Sequence, residues 1–326
     1  MPVTLGLLFT EKKFKRLNDV EMFNDFPRLG INIFRIDISR PLEDQQPVDA
    51  IFHKLIDQLS KSTLEDRRIV EWYESTRSSH PDLLFIDSLD KLEDFLDRFY
   101  TYEVGEEAIC LTKLQSILSV PEYFLLPKGT SVREAMRLHH ISVPVLIKPQ
   151  WTTGDPASHA IDIILEQDAI PDSYPIDMVV QSYRDHDGVI FKVYAVEDTV
   201  FIEKRYSLPN VANCENLIQK YTIDRLKKCP ESFSSTIQTP TKDNEIISGR
   251  TESIGPLSLE NVRSFVVSIE TILHMGLLGV DLIVDAENPQ QVYCIDINLF
   301  PSFTGFPNVS EVVGTFILKR IATHSS

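Results

Sequence analysis

Asp281, Asp296 and Asn298 are the residues of this chain whose types and spacing point most directly to chemistry. They lie in two alternating apolar runs, 279–285 and 291–301, separated by the short stretch 286–290. The Asn288-Pro289 pair in that stretch is a strong turn signal, so the runs should pair antiparallel. Folding about the middle of the loop places Asp281 opposite Asp296. Side chains alternate along a strand, so Asp281, Asp285, Asp296 and Asn298 share one face; Val280, Leu282, Val284, Ile295, Ile297 and Leu299 share the other. Two opposed carboxylates and an amide suit a hard cation such as Mg²⁺, which takes few protein ligands and leaves positions for phosphate oxygens and water. The competing reading is a surface hairpin with an acidic face. Like charges set directly opposite one another are unfavourable there, which favours the cation.

The cations collect elsewhere. Lys12, Lys13, Lys15 and Arg16 follow a first apolar run, and His53-Lys54 follow a third. In an open parallel sheet the carboxyl ends of the strands share one edge, so Lys13 and Lys54 can converge although distant in sequence. Each cluster alone is more simply a solvated basic turn. Lys148 ends another apolar run and leads into a loop containing Gly154 and His159, which could offer backbone N–H groups to phosphates and then an imidazole. Lys192 stands inside the otherwise apolar run 189–196, where a lysine must reach a partner or a ligand. With Glu197-Asp198 as the turn, Glu203 falls opposite Lys192 and Arg205 shares its face. A plain Lys192–Glu203 pair is the alternative. Neither a GxxxxGK[ST] loop nor a GxGxxG after a strand occurs, so a nucleotide would be held some other way.

The elements that must position these groups read as α/β. Strands are expected at 3–9, 32–37, 49–52 and 83–86, with helical stretches near 20–29 and 52–60. Asp87 or Ser88 could cap a helix carrying Leu89, Leu92, Phe95, Leu96 and Phe99, with Arg98 beside that stripe. A second unit follows: helices at 106–118 and 131–140, strands at 143–149, 160–165 and 177–182. Strands at 189–196 and 199–206 and a helix at 258–275 precede the acidic hairpin. The stretch 209–256 is polar and without clear periodicity apart from a short helix near 216–228, and reads as long loops. The expected organisation is residues 1–100, 101–181 and 182–326.

The chain has 326 residues, 43% hydrophobic and 25% charged, ordinary values for a folded protein of two or three compact units. No apolar run reaches a membrane span, and the start lacks the basic region of a signal peptide. The cysteines Cys110, Cys214, Cys229 and Cys294 show no paired short spacing, which argues for a reducing, cytoplasmic or nuclear compartment. A net charge of −16 disfavours nucleic acid and anionic membrane as partners, but not a small anion held by local cations.

Taken together these residues resemble one family. The segments Thr10 with Lys12-Lys13, Ser39-Arg40-Pro41, His53-Lys54, Asp97-Arg98, the Lys148 strand, Ser158-His159, Gln181 through Lys192, Arg205 with Ser207, and Asp281 with Asp296-Ile297-Asn298 are similar, nearly end to end, to the inositol 1,3,4-trisphosphate 5/6-kinases, also called inositol-tetrakisphosphate 1-kinases. The resemblance implies an ATP-grasp fold: an N-terminal Rossmann-like α/β unit and two α+β units that clamp ATP between antiparallel sheets. It implies nucleotide contacts at Arg98, Lys148, Gln181, Lys192, Ser207, Ser235 and Thr239, and metal contacts at Asp281, Asp296 and Asn298. It places inositol phosphate contacts at Lys13, Lys54, His159, Lys192 and Asn298, with His159 and Lys192 at the catalytic centre.

The expected activity is ATP- and Mg²⁺-dependent phosphorylation of a soluble inositol polyphosphate by a monomer. The acceptor is the 5- or 6-hydroxyl of the 1,3,4-trisphosphate, or reversibly the 1-position of a tetrakisphosphate. Two rivals are an ATP-grasp carboxylate-amine ligase and a non-catalytic inositol phosphate or nucleotide binder. Ser302 stands where the family usually has glycine, the interval from Lys148 to His159 is one residue longer, and the 207–235 loop is longer. These departures bear on which hydroxyl is phosphorylated more than on ATP binding.

Overall fold

A computed structural model describes residues 2–59, 63–87, 91–152, 160–208, 210–211, 220–224 and 249–324. The first 86 residues build a four-stranded parallel sheet in the order β2-β1-β3-β4: β1 (Val3–Leu8), β2 (Ile31–Arg35), β3 (Ala50–His53) and β4 (Leu84–Ile86). The basic stretch after β1 is not a turn but a helix, α1 (Glu11–Asp19), because the Thr10 side chain caps it by accepting from the Lys13 amide. Residues 20–29 form turns rather than the expected helix, although the buried Met22, Phe23 and Phe26 fall at helical spacing. At 52–60 there is only a 3₁₀ turn, Leu55–Asp57. A long helix that the sequence pattern did not announce, α2 (Leu64–Ser79), starts from a Thr63–Asp66 capping box and buries Ile69, Val70, Trp72, Tyr73 and Thr76.

Helix α3 (Arg98–Thr112) begins later than the expected stripe at Leu89 and ends before 118. Asp97 caps it by accepting from the Phe99 amide, and a 3₁₀ turn, Asp94–Leu96, precedes it. Beyond it a five-stranded antiparallel sheet, β12-β8-β7-β9-β6, carries helix α4 (Val132–Leu138) on one face. Its strands are β6 (Tyr123–Leu126), β7 (Val145–Pro149), β8 (Ala160–Ile164), β9 (Met178–Ser182) and β12 (Lys220–Asp224). The last corrects the expected helix near 216–228, as far as that stretch is described. Asp162 holds β12 through Lys220 at 2.7 Å and Thr222 at 2.7 Å.

The third sheet runs β13-β11-β10-β16-β17-β5. Its long strands are β10 (Val189–Val196), β11 (Thr199–Tyr206), β16 (Leu277–Val284) and β17 (Val292–Leu299); β5 (Leu118–Ser119) and β13 (Gly249–Thr251) flank them. A small hairpin of β14 (Ser253–Ile254) and β15 (Leu257–Ser258) leads into α5 (Leu259–Leu273).

Alternation decides what each face of the third sheet does. Val193, Val280, Leu282, Ile297 and Leu299 enter one core with Phe265 and Ile269 of α5 and Val104 and Ala108 of α3. Tyr194, Leu277 and Phe300 face the other way and join a second core with Phe52 of β3 and with Phe316 of the last helix, α6 (Val309–His324). Among the described residues no helix is long and apolar enough to cross a membrane.

Candidate active site

The acidic hairpin forms with Asp281 directly opposite Asp296 and Gly279 opposite Asn298. Two details differ from simple symmetric folding. A register shift after Asp281 sets Cys294, not Ile295, opposite Leu282, so buried Cys294 takes the core position and Ile295 stays half-buried. Burial pushes the Cys294 thiol up, so it remains protonated. Asp285 does not join Asp281. Its carboxylate accepts the amides of Glu287 and Asn288 at 2.8 and 3.0 Å and closes the loop. Gly279 is required by close approach, since a Cβ there would lie 3.0 Å from Pro301 Cβ.

The same rung crosses the sheet. Glu203 pairs in register with Lys192, Lys192 with Asp281, and Asp281 with Asp296. Lys192 thus has carboxylates on both sides, and it chooses Asp281: Nζ donates to Oδ2 at 2.7 Å and Oδ1 at 2.9 Å. Glu203 is taken by Arg205 at 2.5 Å. Asn298 donates to Asp296 Oδ2 at 3.1 Å. The donor set is carboxylate and amide oxygen throughout, and it already draws one positive charge onto Asp281, so it fits a hard divalent cation. Among the described residues no cluster of three His, Cys, Asp or Glu side chains is assembled that would offer a rival metal site.

The N-terminal sheet meets this hairpin at its carboxyl edge. Phe300, which follows β17, stacks on Phe52 with ring centroids 5.0 Å apart and meets Phe9 edge-on at 5.6 Å. Lys13 Nζ lies 4.2 Å from the centre of the Phe300 ring and donates to the carbonyls of Phe300 and Pro301 at 3.3 and 3.2 Å. Lys13 is therefore brought to the turn that follows β17. Half-buried Lys54 follows β3 at the same edge. It is preceded by His53, whose ring donates to Asp87 O and accepts from the Leu55 amide. Burial pushes the His53 imidazole down to about 4, so it is neutral. Ser302 is exposed just beyond Pro301 and accepts from the Thr304 hydroxyl.

A second group lies on the central sheet. Val145 and Ile147 of β7 point into the core under α4, so Lys148 is turned to the opposite face. There its buried ammonium donates to Gln181 Oε1 at 2.6 Å and to Tyr102 Oη at 2.9 Å. Tyr102 in turn donates to Gln181 Oε1 at 2.9 Å. Arg98, also buried, reaches Pro149 O at 2.9 Å. Helix α3 supplies both Arg98 and Tyr102 and packs its body on β17, so it joins the Lys148 group to the acidic hairpin. Ser207 meets His186 Nε2 at 2.9 Å, while His186 Nδ1 lies 2.7 Å from Arg184 O. A carbonyl only accepts, so Nδ1 carries the proton and Nε2 takes the Ser207 hydroxyl hydrogen. Burial holds the His186 imidazole below its usual value.

Sequence reasoning missed Tyr102 and His186. Tyr102 is one aromatic among several in α3, and His186 lies in a loop with nothing periodic about it. His159, Ser235 and Thr239 lie outside the described residues.

Comparison with known proteins agrees with this architecture. Residues 113–319 match the family model described as the inositol 1,3,4-trisphosphate 5/6-kinase ATP-grasp domain, and residues 4–92 its pre-ATP-grasp domain. The inositol-tetrakisphosphate 1-kinase of Danio rerio is 28% identical over 309 residues, 93% of this chain and 75% of the relative. Inositol-tetrakisphosphate 1-kinase 3 of Glycine max is 26% identical, covering 97% of this chain and 84% of the relative. Among solved structures, D-cycloserine synthetase DcsG superposes with a TM-score of 0.62 at 12% identity, covering 98% of this chain and 99% of that one. D-alanine–D-alanine ligase of Bacillus anthracis superposes with a TM-score of 0.57 at 11% identity, covering 100% and 99%. At such identities these two speak for the ATP-grasp fold alone. The chain belongs to the inositol 1,3,4-trisphosphate 5/6-kinase family, ATP-dependent inositol phosphate kinases built on the ATP-grasp fold.

Proposed function

We propose that the enzyme transfers the γ-phosphate of ATP to the 5- or 6-hydroxyl of inositol 1,3,4-trisphosphate, with the 1-position of a tetrakisphosphate as a further, reversible acceptor. The observation that carries this reading is the rung from Lys192 to Asp281 and Asp296, which sets one cation and two carboxylates beside the turn that Lys13 grips. Phosphoryl transfer is mainly positioning and charge stabilisation, and a loose transition state does not demand a strong base on the acceptor hydroxyl.

Asp281, Asp296 and Asn298 would hold Mg²⁺, which would supply positive charge to offset that of the phosphates. Lys148 and Lys192 neutralise the triphosphate, and Arg98, Gln181, Ser207, Ser235 and Thr239 complete the nucleotide side. Lys13, Lys54 and His159 grip the acceptor's phosphates and fix which hydroxyl faces ATP; Lys192 touches both substrates, and Asn298 serves the acceptor as well as the metal. One chain supplies every group, so the enzyme works as a monomer, in a reducing compartment.

The ligases that share the fold activate a carboxylate, which needs fewer cations than Lys13, Lys54 and Lys192 provide. The test is to incubate the protein with Mg²⁺, γ-labelled ATP and a panel of inositol tris- and tetrakisphosphates, then separate the products by anion exchange. Label on an inositol phosphate establishes the transfer, and the isomer formed identifies the hydroxyl. Binding of both substrates without label would leave a non-catalytic binder.

A further inference from the structure

One buried donor in the nucleotide group has no acceptor among the described residues. Gln181 is 1% exposed, and its side-chain oxygen is engaged twice, by Lys148 at 2.6 Å and by Tyr102 at 2.9 Å. An ammonium cannot accept a hydrogen bond, so the amide atom beside Lys148 must be the oxygen, and Nε2 is forced to the other side. There Nε2 is buried without a hydrogen-bond partner among the described residues. Such a donor is unfavourable in the free protein and is relieved only when something brings an acceptor to it. The phenol of Tyr102 completes the arrangement. It accepts from Lys148 and donates to Gln181, which closes a triangle.

We propose that Tyr102 is a positioning residue that locks the Gln181 amide and the Lys148 ammonium, so that Gln181 Nε2–H is presented as a ready-made donor to an acceptor atom of bound ATP. The inference rests on ATP binding at this group. It goes further in giving a role to a helix residue that the family resemblance does not assign. Without the phenol oxygen, Lys148 loses an acceptor and Gln181 one of the two donors that hold its orientation. The amide is then free to turn, and the donor is no longer preorganised.

The test is direct binding of ATP to the full chain without turnover, together with steady-state kinetics. Tyr102→Phe should weaken ATP binding and raise its KM about tenfold, leave kcat at saturating ATP within about twofold, and leave the inositol phosphate KM unchanged. Tyr73→Phe also removes a buried phenol, one that accepts from Arg77 at 2.9 Å in α2, and should change none of these. Gln181→Glu keeps an acceptor for Lys148 and Tyr102 but cannot donate. Its unfolding midpoint should hold or rise while ATP affinity falls at least tenfold.

Adenosine and inorganic tripolyphosphate as separate probes tell where the acceptor sits. A Tyr102→Phe loss confined to adenosine places it on the nucleoside, and one confined to tripolyphosphate places it on the phosphates. If the wild-type chain binds no ATP, the kinase reading itself fails. If the wild type binds and both Tyr102→Phe and Gln181→Glu bind equally well, only the positioning role is overturned. A lowered midpoint in Tyr102→Phe with unaltered KM would also overturn it, leaving Tyr102 a packing residue.

Discussion

Lys192 and Lys148 are both lysines in strands, yet the molecule treats them differently. Lys192 is 30% exposed on its side chain and sits on the carboxylate of Asp281, one of the proposed metal ligands. Lys148 is 8% exposed and rests on a phenol and an amide, both neutral. The first arrangement is a pair whose charges must be redistributed when a cation and phosphates arrive. The second is buried and already hydrogen-bonded to a phenol and an amide, so the direction of its side chain is set before a ligand arrives. One end of the site is poised to exchange partners, the other is prepared in advance.

The sharpest break is at the exchanging end. Asp281→Asn should lower turnover by about 10⁴-fold while metal-free inositol phosphate binding persists, measured by labelled phosphate transfer and by calorimetry. At the prepared end, Lys148→Met should lower kcat/KM for ATP by about 10³-fold, because a methionine of similar shape keeps the packing but loses the charge and the hydrogen bonds to Gln181 and Tyr102. If Lys148→Met loses no more than a few-fold, the contrast between the two lysines collapses.

Lys54's neighbour provides a test by pH. Burial pushes His53 down to about 4 in the folded chain, against 6.5 when free, so the unfolded chain takes up the extra proton between those values. Stability should be complete above about pH 6.5 and fall by on the order of 3 kcal/mol as the pH drops toward 4. His53→Gln, which can donate to Asp87 O and accept from Leu55, should flatten that dependence in urea midpoints. The smallest expected effect is at Asp285. Asp285→Ala frees the Glu287 and Asn288 amides and should cost about 1 kcal/mol of stability with Mg²⁺ affinity unchanged, which separates the loop-closing carboxylate from the opposed pair.

Much of the site was legible because local chemistry specifies it. The alternating runs around Asn288-Pro289 predict the Asp281–Asp296 opposition, and the Glu197-Asp198 turn predicts Glu203 across from Lys192; both registers are observed. The partner of Lys192 was not legible, since it depends on β10 lying beside β16, a pairing that joins residues 89 apart. Helix α2 escaped notice because only one side of it is buried, and that side mixes Thr76 with Trp72 and Tyr73. The bulge at Ile295 escaped because a period-two pattern cannot report a single inserted residue.

By itself the sequence determined which strands form hairpins, which faces are apolar, and that its oxygen ligands and cations occur in separate stretches. Those features follow from interactions a few residues long. Only the tertiary structure decided that Phe300 packs on Phe52 and carries Lys13 to the turn that follows β17, that Lys192 takes Asp281 over Glu203, and that Tyr102 closes on Lys148 and Gln181. Each of these depends on which buried surfaces meet, and that is settled by packing across the whole chain.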